Sequence, residues 1–268
     1  MKDNISPVSA QSIAIDIDYS NSIAWPKTKF RTPYICNTAL SVTLIKSGTH
    51  TVLVDASFGN IFSQSSYAET LNKQLAASGI VLESITDIVL THLHVEQIGG
   101  LLIDGVRSRL SADVNVHLSM TEFDFWANRD FSRFEHPLAS PDLLGCAALD
   151  FLKAYASRIS PFRRHREVAP GVIASLVGGH TPGHCIVYVN SDGKRLTFTG
   201  DALVPAALDH PSSYNGFDHE PEESVLVRMA LLHEAASSGE LVVATRLPFP
   251  SVGRVAVDGK GFRWVAGI

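Results

Sequence analysis

The sequence predicts an α/β protein in which two β-sheets pack face to face and helices cover their outer surfaces. Three observations predict it. The elements run in the order strands, helix, strand, helices, strands, helix, strands. Several strand candidates, such as ITDIVL (85–90) and ELVVAT (240–245), are short and almost continuously apolar, the pattern of strands buried on both faces. Turn signals, Asp192-Gly193 foremost, separate runs rich in β-branched residues. With 45% hydrophobic and 18% charged residues, the 268-residue chain can bury a full core. No low-complexity tract or linker interrupts it, so one domain spanning 1–268 is expected.

The elements follow in order. After an N-terminal tail, TALSVTLIKS (38–47) and HTVLVDAS (50–57) read as a hairpin turned at Gly48. SQSSYAETLNKQLAASG (63–79) has polar caps, apolar positions near helical spacing and Gly79 as a stop, so a helix is expected. ITDIVLTHLH (85–94) is a buried strand running straight into two histidines, and DVNVHLS (113–119) is another strand. From about 119 to 160 the pattern becomes helical and rich in aromatics, which marks an insertion. GVIASLVGG (171–179) is a strand, and CIVYVNSDGKRLTFTGDAL (185–203) is a hairpin. PEESVLVRMALLHEAASSG (221–239) opens on proline and acids and closes on glycine, the marks of a helix. ELVVATR (240–246) is a strand, and GRVAVDGKGFRWVAGI (253–268) closes the chain as a hairpin.

Bulk charge narrows the partners. A net charge of -5 gives no reason to expect nucleic acid or an anionic membrane. The basic run SRISPFRRHRE (157–167) reads as a solvated face. Cys36, Cys146 and Cys185 are widely spaced and odd in number, which is neither a disulfide framework nor a metal clip. With no apolar leader in MKDNISPVSA and no run long enough to cross a bilayer, a cytoplasmic location is expected.

Chemistry concentrates in three loops, each following an apolar strand. In THLHVEQIGG, His92 and His94 lie two apart, so on an extended segment both imidazoles leave one face. In GGHTPGH, His180 follows two glycines and precedes a Pro-Gly turn. In FTGDAL, Asp201 follows a glycine at a strand end. Together they offer three imidazoles and a carboxylate to one point, a ligand set suited to Zn²⁺ or Fe²⁺.

These segments, with Asp55 in VLVDAS and the late TRLPFPSVGRV, resemble the metallo-β-lactamase superfamily, in its order and over nearly the whole chain. The closing LPFPSVGRV and the aromatic insertion look most like the branch that includes methyl parathion hydrolase and some lactonases. The resemblance implies an αββα sandwich of two mixed sheets flanked by helices, with metal at one rim. It maps the first metal position onto His92, His94 and His180, and the bridging aspartate onto Asp201. The family's second position takes an aspartate and a histidine from the first loop and a late histidine. Here those places hold Glu96, Gln97 and Arg246.

Gln97 offers only a weak amide oxygen, and Arg246 is a fixed cation that cannot ligate. At about 4 Å and an effective dielectric near 20, each unit-charge pair is worth on the order of 4 kcal/mol, so Arg246 opposes a dication beside it. One divalent ion is therefore expected, Zn²⁺ ahead of Fe²⁺ or Mn²⁺, with Arg246 pairing to Asp201 or Glu96. The expected activity is hydrolysis of a small ester, lactone or phosphoester by a metal-activated water. Glu96 is the candidate proton carrier, and Arg246 the candidate oxyanion partner. A second reading puts iron on His92, His180 and Asp201 for a non-hydrolytic oxygenase, lyase or cyclase reaction. A third is a metal-free ligand-binding descendant, against which the three retained histidines argue.

Other residues carry plainer expectations. Asp55 orders the loop beneath the metal, His184 hydrogen-bonds near it without ligating, and Cys185 is a small buried hydrophobe. His117, His136, His165, His210, His219 and His233 belong to no motif, although His210 and His219 flank a loop within reach of the rim. Phe123, Trp126, Phe131 and Phe134 either wall a substrate pocket or pack the insertion onto the sheet or a second subunit, core packing being the better expectation.

Overall fold

The computed structural model describes residues 9–17, 38–57, 75–76, 79–128, 141–247 and 251–267. The expected helix at 63–79, apart from 75–76, lies outside them, as do Phe131 and Phe134.

Two mixed sheets form the centre. The first has the order β1 (Ser9–Ile17), β2 (Thr38–Ser47), β3 (His50–Val54), β4 (Asp87–Val89), β5 (Asn115–Ser119) and β6 (Ile159–Phe162). It is antiparallel from β1 to β3 and parallel from β3 to β6. The second has the order β13 (Gly261–Ala266), β12 (Val252–Asp258), β11 (Leu241–Val243), β10 (Lys194–Phe198), β9 (Cys185–Ser191), β8 (Val172–Leu176) and β7 (His165–Ala169). Only its β10–β11 pairing is parallel. Asp192 and Gly193 both take positive φ, as the tight β9–β10 turn requires.

Alternation along the strands sorts side chains between layers. Ile45, Val52, Val54 and Val89 face the other sheet, where they meet Val187, Phe198 and Val243. Leu44, Leu53 and Ile88 face outward onto α3 (Met120–Asn128) and α4 (Pro141–Ala154), against Trp126, Phe151 and Tyr155. On the outer face of the second sheet, Val242, Val255 and Phe262 pack against Leu232 and Ala235 of α6 (Pro221–Ser238). The result is the expected αββα layering. Among the described residues, three shorter helices fill the loops: α1 (Val95–Ile98), α2 (Val106–Arg109) and α5 (Ala206–Asp209).

Three stretches differ from the sequence expectation. Part of the N-terminal tail is the edge strand β1. The ITDIVLTHLH strand closes after three residues, because β4 yields to a loop that carries the histidines. The basic run is two strands, β6 and β7, one at the edge of each sheet, while Arg163, Arg164 and His165 stay exposed between or at their ends. Alternation is weak in those strands, and Arg166 within β7 and the arginines flanking both strands mask it.

The loops after β4, β8, β10 and β11 gather at one rim. There Cys185 N–H donates across the sandwich to Thr91 O at 2.8 Å. Gly179, at φ 85, lies so close to α6 that a Cβ would meet Ser224 Cα at 2.6 Å. A Gly179→Ala variant must strain its backbone and displace α6, and is expected to lose about 2–4 kcal/mol of stability. Urea unfolding checks this; a loss below about 1 kcal/mol would mean that the loop–helix approach is slack.

Candidate metal centre

His92, His94 and His180 meet at the rim, all buried. His94 Nδ1 lies 3.0 Å from His92 Nε2 and 3.2 Å from His180 Nε2. Asp201 Oδ2 stands 3.6 Å from His180 Nε2 and 4.0 Å from His92 Nε2. Nitrogen ligands of a tetrahedral zinc at about 2.0–2.1 Å lie roughly 3.3 Å apart, so this spacing fits one such ion.

The outward nitrogens decide which ring atom is bare. His180 Nδ1 lies 3.0 Å from Asp218 Oδ1; the carboxylate only accepts, so Nδ1 donates and a neutral ring turns a lone pair inward at Nε2. Asp218 is itself held by Arg228 Nη2 at 3.0 Å, a buried arginine that also bonds the carbonyls of Pro211 and Ser213. His92 Nδ1 lies 3.0 Å from Thr91 Oγ1, which donates at 2.9 Å to Asp55 Oδ2, the carbonyl oxygen of a neutral carboxyl accepting as an ionised one does. The Thr91 oxygen then accepts from His92 Nδ1–H, again leaving Nε2 bare. His94 turns Nε2 outward, 3.1 Å from His219 Nε2.

Burial holds the His92 imidazole well below its usual pKa, and the neighbouring histidines push it the same way. Burial also lowers His184, to about 3. That neutral ring accepts Asp201 N–H at Nε2, 3.1 Å away, so it is a neighbour of the cluster with its ring committed elsewhere. For His180, burial acts downward, but the bond to Asp218 and the charge of Asp201 raise the pKa overall.

Beside the histidines, Arg246 reaches both acidic groups. Its Nε donates to Asp201 Oδ2 at 2.9 Å and its Nη2 to Glu96 Oε1 at 2.6 Å, with a further short contact from Nη2 to Asp201 Oδ2. Burial alone would raise the Asp201 pKa, but Arg246 and His180 hold it below the ordinary range. Gln97 directs its amide nitrogen at Asp201 Oδ1, 3.3 Å away, and its carbonyl oxygen is buried without a hydrogen-bond partner. The Gln97 amide and the Arg246 guanidinium thus both donate to Asp201 and balance its carboxylate.

One carboxylate fastens the two histidine loops together. Glu122, buried on α3, accepts at Oε1 from Leu93 N–H (2.9 Å) and Trp126 Nε1–H (2.7 Å). At Oε2 it accepts from Thr181 Oγ1 (2.7 Å) and Gly183 N–H (3.1 Å). A Cβ on Gly183 would lie 2.1 Å from Glu122 N, so only glycine permits the approach. Sequence reading missed Glu122, Asp218 and Arg228 and left His219 as ordinary; no local pattern marks them, although S-M-T-E follows the capping-box spacing at the start of α3. Trp126 is fully buried beneath His94, its ring edge-on at 5.8 Å. It thus underpins the site and presents no surface to a pocket, whereas Phe123 is half-buried against the core under α3. An open cleft of about 760 Å³ borders the same loop at Gly178 and Pro182, between Arg164 and Glu220, and contains none of the clustered histidines.

The sequence model of the Metallo-beta-lactamase superfamily matches residues 38–245. No curated protein matches the chain. Among solved structures, AidC, a dizinc quorum-quenching lactonase, is 25% identical with a TM-score of 0.77, covering 86% of this chain and 80% of its own. The hydrolase AbOPH is 22% identical with a TM-score of 0.78, covering 97% and 94%. A probable metal-dependent hydrolase from Staphylococcus aureus is 16% identical with a TM-score of 0.70, covering 97% of each chain.

Burial pushes the Asp55 carboxyl from 3.8 up to about 8, against two hydrogen bonds from Thr91. The folded protein therefore keeps a proton there that the unfolded chain releases. Stability from the neutral carboxyl is complete below about 3.8 and lost as pH rises to about 8. Asparagine tolerates the φ of 58° at this position and does not titrate. In urea unfolding of metal-free protein, Asp55→Asn should lose less stability between pH 5 and 8 than the wild type. Parallel slopes would mean that Asp55 ionises normally.

Proposed function

The chain belongs to the metallo-beta-lactamase superfamily, and from that premise we propose that it is a mononuclear metal-dependent hydrolase acting on a small ester or lactone. The observation that carries the proposal is the convergence of His92, His94 and His180 on one point beside Asp201. A divalent ion held there, zinc in preference to iron or manganese, supplies a water with its pKa lowered to about 7 and polarises the scissile carbonyl. Resemblance to AidC, a lactonase, favours lactones among the ester-like substrates.

The chain's own groups take the remaining roles. Glu96 gives one carboxylate oxygen to Arg246 and keeps the other as acceptor for a proton from the attacking water, to be returned to the leaving oxygen. Asp201 spans the histidines and Arg246, and orients both. Arg246 supplies fixed positive charge at the second position. Its guanidinium is already matched by two carboxylates, which suits a neutral ester or lactone better than a substrate bearing its own charge, such as a phosphomonoester. Partial exposure of Glu96 and Arg246, whose side chains are 11% and 12% accessible, leaves them within reach of a substrate entering the rim.

Elemental analysis of the purified protein is expected to give one zinc per chain, and His180→Ala to abolish it. One iron instead would support oxygenation or lyase chemistry on His92, His180 and Asp201, and full occupancy in His180→Ala would remove that residue from the ligand set. Restoring the family's residues with Glu96→Asp, Gln97→His and Arg246→His together should raise the count from one toward two. A triple variant still holding one ion after growth in zinc-rich medium would defeat the explanation based on Arg246. Hydrolysis of aryl esters and lactones, compared with phosphoesters, tests the substrate class.

A further inference from the structure

We propose that His219 is a positioning residue for His94: it accepts a hydrogen bond from His94 Nε2–H and so keeps His94 Nδ1 bare toward the other two histidines. The inference rests on the metal-site reading above, and four observations support it.

First, the two Nε2 atoms are 3.1 Å apart, a hydrogen-bond distance at which one ring donates and the other accepts. Second, the other two clustered histidines each direct the outward nitrogen at an oxygen acceptor, Thr91 Oγ1 for His92 and Asp218 Oδ1 for His180. His94 is the member whose outward partner is another imidazole. An imidazole nitrogen can donate as well as accept, so the pair works only with the proton on the His94 side.

Third, His219 is held in place by its backbone. Its N–H donates to His180 O at 2.9 Å, and Glu220 N–H donates to Gly179 O at 3.0 Å. Asp218, one residue earlier, grips the His180 ring and is itself anchored by Arg228. One three-residue segment thus joins His180 through backbone and side chain and meets His94 through an imidazole. Fourth, the ring is boxed in: it lies head to head with His94 at an interplanar angle of 29° and centroids 5.4 Å apart, as a hydrogen bond between ring edges requires, and Phe125 stands edge-on at 5.2 Å. A ring so confined cannot turn its Nε2 away without moving its neighbours.

Two substitutions separate an acceptor from a packing ring. His219→Gln keeps an acceptor of similar reach; His219→Phe keeps the ring and loses the acceptor. Zinc affinity by competition with a chromophoric chelator, and the His94 Nε2–H proton by nitrogen-15 NMR of the zinc-loaded protein, are the readouts. His219→Phe is expected to weaken zinc binding roughly 10–100-fold and expose that proton to exchange. His219→Gln should stay close to wild type in both. Full affinity and a protected proton in His219→Phe would overturn the proposal, as would a loss in His219→Gln equal to that in His219→Phe. If the wild type takes up no zinc, the hydrolase reading falls by itself, and the same NMR on metal-free protein decides about His219. His94 carrying its proton on Nε2 in wild type and His219→Gln, and a mixture of tautomers in His219→Phe, supports the role; identical spectra in all three refute it.

Discussion

Three imidazole nitrogens gathered at one point, with His94 Nδ1 at 3.0 Å from His92 Nε2 and 3.2 Å from His180 Nε2, make an unstable arrangement by themselves. Lone pairs repel at that distance unless a proton or a cation lies between them, and burial removes the water that would soften the repulsion. The rest of the rim answers to this constraint. Each ring is held from behind by a hydrogen bond on its outward nitrogen, and those bonds set the direction of the inward lone pairs. The adjoining Asp201 adds negative charge and draws in Arg246. Histidines selected only for packing would have no reason to face one another in this way.

The scaffold meets the constraint by attaching the histidine loops to elements far away in sequence. His92 and His94 follow a strand of the first sheet, and His180 follows a strand of the second, so the sandwich alone leaves them on separate walls. Glu122 closes that gap from a helix of the first layer, accepting from Leu93 beside one pair and from Thr181 and Gly183 beside the other. Arg228 does the corresponding work from the helix of the opposite layer, by holding Asp218 behind His180. Both outer layers therefore contribute to the geometry of three rings at the rim, and helix packing and ligand placement are one problem.

Much of this was legible in the sequence, and the rest was not, for physical reasons. The histidines and Asp201 announce themselves because ligand residues must sit on short loops at strand ends, so their spacing is local. Arg246 paired with Asp201 and Glu96 could be expected from charge, since a guanidinium and two carboxylates brought to one place by the fold must meet. Glu122, Asp218 and Arg228 gave no such signal. Each acts on a partner distant along the chain, and an acid on an amphipathic helix looks the same whether it faces water or accepts four buried hydrogen bonds. The strands β6 and β7 escaped notice because the arginines in and around these short edge strands read as a solvated run.

Arg246 bridging two carboxylates also changes what sets the charge of the rim. A metal ion is exchangeable: its presence follows supply, competes with chelators and disappears on dilution. A guanidinium on the chain is delivered by the ribosome in fixed stoichiometry, stays protonated across the physiological range, and cannot be stripped. The counter-charge to Asp201 and Glu96 is therefore inherited with the chain and does not depend on supply. A chain built this way keeps its two rim carboxylates tied together whether or not the histidines beside them hold a metal.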